Sequence, residues 1–354
     1  TEGDLELHGY FNRRQLVQKI LLNSLYGVLG LTVFRFYDID NAEGTTTTGQ
    51  DLIKFTEKVT NSYYNKILKT DKDYCIYTDT DSVFYSALPL VKNRFPNADV
   101  KDEKFMTEQI LDIADEVQAY INKSYNYFSS KFLNIHEGHR FEIKQEMIAK
   151  AAFWVTKKRY GQWIINDGGT PCEKLDVKGL DIVRSSFPPA MRKLMTGVLQ
   201  DILGNVEKES IDEKIMDFKK KIKTLPIEDI ALPTGVKKLS KFANKGGRGK
   251  IQSGQGIFTQ MVKGTPVHVK AAWIYNDLLK YYNLTDCEKI NNSEKIKWVY
   301  LKPNNPLQIQ QIAFKGYDDP PQIMKYIEEH VDRDKLFDKA LQKKIDMFYG
   351  SMDW

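Results

Sequence analysis

Two aspartates one residue apart, Asp79 and Asp81, are the side chains of this sequence best suited to metal chemistry. Carboxylates that close repel one another unless a cation neutralises them, and Mg²⁺ typically binds one or two carboxylates together with substrate phosphates. The pair therefore favours a divalent metal site that handles phosphate groups. A polar turn is the alternative, because Asp and Thr are common turn residues and a D-x-D match often arises by chance.

Two short segments must position this pair. Residues 73–77 (DYCIY) and 82–86 (SVFYS) are rich in aromatic and β-branched side chains, which favour strands. The sequence predicts a hairpin with Asp79 and Asp81 at or beside its turn. Residues two apart on an extended backbone point the same way, so we expect both carboxylates to face one point.

A second motif, KILLNSLYG at residues 19–27, has the spacing of a helix. Residues three and four apart share one helical face, so Lys19, Asn23 and Tyr26 form one stripe. The stripe combines an ammonium for phosphate, an amide for hydrogen bonding and a ring for stacking. An ordinary amphipathic helix with a polar stripe is the alternative.

Taken together, the runs KILLNSLYGVLG, FRFYDIDNAEGTTTTGQ and YTDTDS closely resemble family B DNA polymerases, particularly those of tailed phages. Three further landmarks follow in the order that the family shows: FWVTKKRY at 153–160, KGLDIVRSSFPPAMRKLM at 178–195 and GTPVHVKAAWIYNDLL at 264–279. The resemblance covers nearly the whole chain. It implies DNA-directed DNA synthesis as the activity.

The resemblance also implies the architecture, an α+β fold in which a palm with an antiparallel sheet and flanking helices adjoins a mostly helical thumb. The implied regions are partial fingers at 1–28, palm at 29–179, thumb at 180–340 and a tail at 341–354. Local patterns predict paired strands around 141–163. They predict helices near 5–27, 49–68, 104–133, 188–203, 211–223, 269–282 and 321–349.

By the resemblance, the complete enzyme uses two Mg²⁺ ions. Asp81 is the expected direct metal ligand, Asp79 supports the site near the primer end, and Glu146 assists indirectly. Lys19 is expected to meet the triphosphate of an incoming dNTP, and Asn23 and Tyr26 to line the nascent base-pair pocket. A primer 3′ hydroxyl would then attack the α-phosphate, with pyrophosphate leaving.

Two basic segments are expected to contact primer-template DNA. The first is the bend between two strands in FWVTKKRY, with Lys157, Lys158, Arg159 and Tyr160. The second is the glycine-rich run at 237–250, which carries six basic residues and no acidic one. Its candidate contacts are Lys237, Lys238 and Lys241. Taken alone, such a run reads more readily as solvated charge, and it is the resemblance that favours DNA contact.

The end of the chain carries several large apolar side chains, including Met347, Phe348 and Trp354. By the resemblance, such a tail is expected to bind a sliding clamp. The alternative is a tail folded back on its own domain.

One departure from the family limits these expectations. The family requires a further metal-binding aspartate in a motif of the form DxxSLYPS, and these 354 residues do not contain it. That motif and the 3′-5′ exonuclease domain normally precede the fingers. We therefore expect a cut, processed or naturally split polymerase that needs an N-terminal portion and has little activity alone. A non-catalytic nucleic-acid-binding subunit that retains polymerase architecture is the alternative function.

Composition is ordinary for a globular protein, with 42% hydrophobic and 28% charged residues. The net charge of +5 permits nucleic-acid binding without requiring it. No apolar run is long enough to predict a membrane span, and nothing resembles a secretory signal. Three scattered cysteines indicate reduced thiols and a cytoplasmic protein, in the host cell if a phage encodes it.

Overall fold

The chain divides into two compact units in a computed structural model that describes residues 2–243, 258–259 and 261–354. The first unit comprises residues 1–148 with 166–171, and the second comprises 149–165 with 172–354. This division by packing follows neither the expected fingers, palm and thumb boundaries nor the expected tail, which therefore stay predictions. No helix of the described ranges is both long and apolar enough for a bilayer span.

The first unit is built mainly from long helices and one small hairpin. Its elements are α1 (Glu2–Leu29), α2 (Ile39–Leu68), β1 (Cys75–Asp79), β2 (Ser82–Tyr85), α3 (Leu88–Arg94) and α4 (Glu103–Phe132). The Asp38 side chain accepts a hydrogen bond from the Asn41 backbone N–H and starts α2, and Asp102 does the same for Phe105 at the start of α4. Local capping thus fixes where both long helices begin.

Helices α2 and α4 pack together around buried hydroxyls and an apolar cluster. The Thr56 and Tyr125 hydroxyls are buried and share a hydrogen bond of 2.8 Å. Burial of these polar groups is tolerated because each partners the other. The apolar members of the cluster are Tyr64, Leu90, Val91, Met106 and Ile113.

Helix α1 differs from the rest of this unit because its apolar side chains lie exposed. Those that are at least 55% exposed are Leu7, Phe11, Leu16, Val17, Ile20, Leu21, Leu22 and Leu25. Three of them, residues 20–22, are consecutive and so point to different sides of the helix. Apolar residues all round a helix are typical of one that other elements surround.

One three-stranded sheet has the strand order β3-β4-β5. Its strands are β3 (Met147–Thr156), β4 (Arg159–Asp167) and β5 (Thr170–Lys178). A two-residue turn at Lys157 and Lys158 joins β3 to β4, as the sequence predicts, and Lys158 takes a left-handed φ of 62°.

The second unit combines further helices with a second three-stranded sheet. Its helices are α5 (Pro189–Leu203), α6 (Lys208–Lys221), α7 (Ile227–Ile230), α8 (Val267–Tyr281), α9 (Pro321–His330), α10 (Arg333–Leu336) and α11 (Lys343–Gly350), with a π-helical segment at Phe337–Gln342 and single 3₁₀ turns at Asp181–Val183 and Leu239–Phe242. The antiparallel strands are β6 (Leu232–Gly235), β7 (Lys295–Tyr300) and β8 (Gln311–Phe314). All four β8 residues are buried, as are Tyr275, Leu278 and Leu279 of α8.

The α+β fold class is confirmed, and most of the expected helices and strands are present. Helix α2 begins at Ile39, ten residues before the expected start at Gly49. It continues through Gly44, although glycine disfavours a helix interior. The expected long helix at 321–349 is wrong as a single element. It ends at His330, and Val331 makes an isolated bridge with Leu301 before the chain turns into α10.

Candidate functional site

The two aspartates lie at the tip of the β1–β2 hairpin, as the sequence predicts. Asp79 is the last residue of β1 and pairs with Ser82, and Thr80 and Asp81 form the turn. Thr80 has a left-handed φ of 50°, and the Asp81 N–H donates to the Asp79 carbonyl oxygen at 2.6 Å. The backbone therefore reverses between the two aspartates. The extended geometry therefore does not continue through Thr80, and a shared orientation of the two carboxylates stays a prediction.

The carboxylates differ in their surroundings. Asp79 is half-buried, and its Oδ1 accepts from the Thr80 hydroxyl at 3.1 Å, while the Ser82 hydroxyl donates to its carbonyl oxygen at 3.1 Å. Asp81 is exposed. The tip thus presents one carboxylate that local hydrogen bonds orient and one that points into solvent.

Helix α2 fixes the base of the hairpin. Asn61 Nδ2 donates to Asp73 at 2.8 Å, and its Oδ1 accepts from the Tyr74 N–H at 2.8 Å. Asp73 in turn accepts from the Cys75 N–H at 2.9 Å. Burial, with help from the nearby acidic residues, raises the pKa of the Cys75 thiol to about 11. The strand leading to the aspartates is therefore tied to a rigid helix.

The donor set at the tip fits Mg²⁺ in chemical type, because both side chains supply carboxylate oxygens. It is a partial set, since no three Asp, Glu, His or Cys side chains in the described ranges are grouped to hold a metal. Glu146, the expected indirect ligand, is exposed, and its backbone carbonyl accepts from Gly168 N–H at 2.6 Å. Its role stays a prediction.

The expected nucleotide-binding stripe lies on α1. Lys19, Asn23 and Tyr26 are all exposed, at helical spacings that put them on one face. Their side chains are thus available to a ligand.

The predicted DNA contacts of the β3–β4 hairpin fall into two groups. Lys157 and Lys158 are exposed at the turn, whereas Tyr160 is 7% exposed and its ring lies 6.1 Å from that of Trp154. Arg159 Nη2 donates to Asp181 Oδ2 at 3.0 Å. The two lysines suit direct contact with DNA, whereas Tyr160 and Arg159 are engaged in contacts within the protein.

Asp181 is a residue that the sequence reasoning passed over, although it lies within the quoted run KGLDIVRSSF. Its carboxylate is 13% exposed and accepts from Arg159, from Arg184 at 3.3 Å and from Lys344 at 2.7 Å. Arg184, three residues after Asp181, is the local sequence signal for this group of ion pairs. The other two partners are too distant in sequence to be found by spacing.

The second basic segment lies partly outside the described residues, which include Lys237, Lys238 and Lys241 but not 244–257. These three lysines are exposed around a 3₁₀ turn. The turn is anchored at Leu239, whose N–H donates to Asn292 Oδ1 at 2.5 Å and whose carbonyl accepts from Trp273 Nε1 at 3.1 Å.

The end of the chain is folded back in this structure, which is the alternative weighed above. Phe348 is 1% exposed, with its ring 5.3 Å from that of Phe153. Met347 and Trp354 are half-buried and pack against the same core, and Trp354 meets the Tyr349 ring edge-on at 5.6 Å. Phe348 therefore has a structural role in its own unit, and clamp binding by this segment stays a prediction.

Residues 1–349 match the model of DNA polymerase family B. The chain is 26% identical over 351 residues to the DNA-directed DNA polymerase of Enterobacteria phage T4, which covers 94% of the chain and 36% of the relative. The DNA-directed DNA polymerase of Escherichia phage RB69 gives the same identity and the same coverage, over 352 residues.

An archaeal relative is matched over a shorter region. The DNA polymerase of Archaeoglobus fulgidus is 27% identical over 232 residues, covering 65% of the chain and 24% of the relative. The chain thus spans little more than a third of the length of the two phage relatives.

Proposed function

Because the chain belongs to DNA polymerase family B, we propose that it is part of a DNA-directed DNA polymerase and carries part of the catalytic metal site. The observation that carries this proposal is the pair Asp79 and Asp81 at the exposed tip of a hairpin inside the matched region. The substrates and partners of such a polymerase are parts of the same proposal.

The proposed reaction adds a deoxynucleotide to a primer. The primer 3′ hydroxyl attacks the α-phosphate of a dNTP in line, one P–O bond forms, and the bond to pyrophosphate breaks. When bound, two Mg²⁺ ions would stabilise the attacking and leaving oxygens. Asp81 would hold the metal directly, and Asp79 would support the site on the primer side. The exposure of Asp81 and the partial burial of Asp79 support this division of roles.

Helix α1 would contribute the nucleotide side of the site. Lys19 would neutralise triphosphate charge as a point cation. Asn23 and Tyr26, on the same exposed face, would contact the nascent base pair through an amide and an aromatic ring.

Primer-template DNA would be held by exposed lysines of two anchored turns. Lys157 and Lys158 project from the β3–β4 turn, and Lys237, Lys238 and Lys241 surround the 3₁₀ turn before α8. Phosphate contacts of this kind fix the register of DNA without reading sequence.

We also propose that polypeptide outside these 354 residues supplies the remaining metal ligand and the exonuclease domain. The greater length of the phage relatives supports this, and so do the exposed apolar side chains of α1. A sliding clamp is the proposed partner of the half-buried Met347 and Trp354. Phe348 would hold the segment in place from the core.

The test is primer extension by the 354-residue chain, with and without a polypeptide that carries the exonuclease domain and the DxxSLYPS motif. Synthesis is expected only in the combined sample, with Mg²⁺ present. Robust synthesis by the chain alone would show that the requirement for a second portion is wrong.

The matched pair of variants is Asp81→Asn and Asp71→Asn, since both positions are exposed in the first unit. Asp81→Asn is expected to lower synthesis by at least about 10²-fold while DNA binding persists, and Asp71→Asn to leave both unchanged. Equal synthesis by the two variants would favour the alternative, a non-catalytic nucleic-acid-binding subunit.

A further inference from the structure

Three cations converge on the single carboxylate of Asp181. Arg159 comes from β4, Arg184 from the segment after the 3₁₀ turn, and Lys344 from α11, at 3.0, 3.3 and 2.7 Å. Asp181 is 13% exposed, so solvent screens these ion pairs less than it screens pairs on the open surface. Removing any one of the three cations would therefore alter how the Asp181 carboxylate pairs with the other two.

Arg159 is committed to this cluster. Its side chain is 29% exposed, and its Nε is buried without a hydrogen-bond partner among the described residues. It follows directly after the turn of Lys157 and Lys158. The ion pair with Asp181 fixes the Arg159 guanidinium, and Arg159 in turn limits the movement of the adjoining turn.

The chain just before Asp181 packs beneath the same turn. Gly179 has a φ of +65°, and a Cβ there would lie 2.0 Å from the Lys158 carbonyl oxygen. The segment 179–181 thus touches the turn twice, through backbone at Gly179 and through the Arg159 ion pair at Asp181.

Helix α11 presents two side chains on one face, one to Asp181 and one directly to the β3–β4 hairpin. Lys344 contacts Asp181, and Phe348, four residues later, packs edge-on against Phe153 of β3 with ring centroids 5.3 Å apart. The neighbouring Lys343 is exposed and has no ion pair among the described residues.

We propose that Asp181 is a positioning residue through which the C-terminal helix α11 holds the Lys157–Lys158 turn for DNA. The effect on DNA binding rests on the proposed function. The fixing of the turn by α11 rests on geometry alone. Helix α11 then affects the affinity for DNA without contacting DNA itself.

The cause is tested without DNA, by hydrogen-deuterium exchange of the full 354-residue chain. Lys344→Met removes the contact to Asp181, and Lys343→Met removes the same charge one residue away. Amides of residues 154–162 are expected to exchange faster in Lys344→Met only. Equal exchange in the two variants would overturn the proposal.

The consequence is tested by fluorescence anisotropy with a labelled primer-template. Lys344→Met is expected to weaken binding by about threefold to tenfold, and Lys343→Met by much less. The loss should vanish when Lys157 and Lys158 are already alanine, because a positioning residue acts only through them. Full additivity would mean that Lys344 contacts DNA itself, and would overturn the proposal.

Failure of the proposed function gives a different result. In that case the wild-type chain does not bind the primer-template, or the double alanine variant binds as well as wild type, while the exchange experiment still reports on the hairpin. Asp181→Asn is the second variant. It removes the carboxylate that the three cations share. If amides of residues 154–162 exchanged faster in Asp181→Asn but at the wild-type rate in Lys344→Met, the proposed role of α11 would also be overturned.

Discussion

The hydroxyl of Tyr349 in α11 donates to Asp212 Oδ1 of α6 at 2.6 Å, joining residues 137 positions apart. Burial and the adjacent Asp212 carboxylate together raise the pKa of the Tyr349 phenol. The last helix is therefore tied to its own unit by a polar contact as well as by the Phe348 ring.

Phe348→Ala tests whether the tail is part of the core. We expect a loss of about 3–5 kcal/mol in the free energy of unfolding, because the side chain is 1% exposed and its removal leaves a cavity. Urea denaturation followed by circular dichroism measures this. Tyr281→Ala, at an aromatic residue that is 49% exposed in the same unit, should cost far less. Equal costs would contradict the folded-back tail.

Gly179→Ala should disturb the turn at Lys157 and Lys158. The new Cβ would meet the Lys158 carbonyl oxygen at 2.0 Å and the backbone would keep a positive φ, so we expect a loss of at least about 3 kcal/mol in stability. Gly168→Ala is the control, because φ there is also positive, at +57°, but an added Cβ would have no non-neighbouring residue within 4 Å. It should cost only about 1 kcal/mol. Thermal unfolding curves that shift equally would refute the clash.

Thr80 tests the turn between the two aspartates. Thr80→Gly accepts the left-handed φ of 50° freely, and we expect the free energy of unfolding to stay within about 1 kcal/mol of wild type. Thr80→Pro cannot adopt that φ and should abolish primer extension in the combined sample. If the proline variant retained activity, this turn would be irrelevant to catalysis.

Cys75 gives a pH-dependent prediction. Its folded pKa, about 11, is above the ordinary value of 9.0, so the folded state favours the protonated thiol. Its contribution to stability is then fully present below pH 9.0 and is lost as the pH rises through about 11. Iodoacetamide should label Cys75 more slowly in the native chain than in urea at pH 8, as measured by mass spectrometry. Equal rates would contradict the raised pKa.

The sequence predicts the hairpins and most helices because their signals are local. The turn at Lys157 and Lys158 and the strands around Asp79 follow from propensity and turn chemistry within a few residues. The early start of α2 is less visible, since a glycine and four threonines precede Gly49. There Thr45 Oγ1 donates to the Asn41 carbonyl at 2.9 Å within the helix.

Long-range contacts escape this reasoning. Nothing in the spacing relates Lys344 to Asp181 or Phe348 to Phe153, because these pairs form only when the chain is packed. The same limit applies to Asp79 and Asp81. Their positions at the hairpin tip follow from local pattern, whereas the left-handed backbone of Thr80 between them does not.

The π-helical segment at Phe337–Gln342 sets the rotational phase of everything that follows it. A π turn holds one more residue than an α turn, and each residue of an α-helix advances about 100° round the axis. Had the chain continued as a plain α-helix, the same sequence would present a different side of α11 to the sheet. In the phase that follows the π-helical segment, Lys344 contacts Asp181 and Phe348 packs against Phe153.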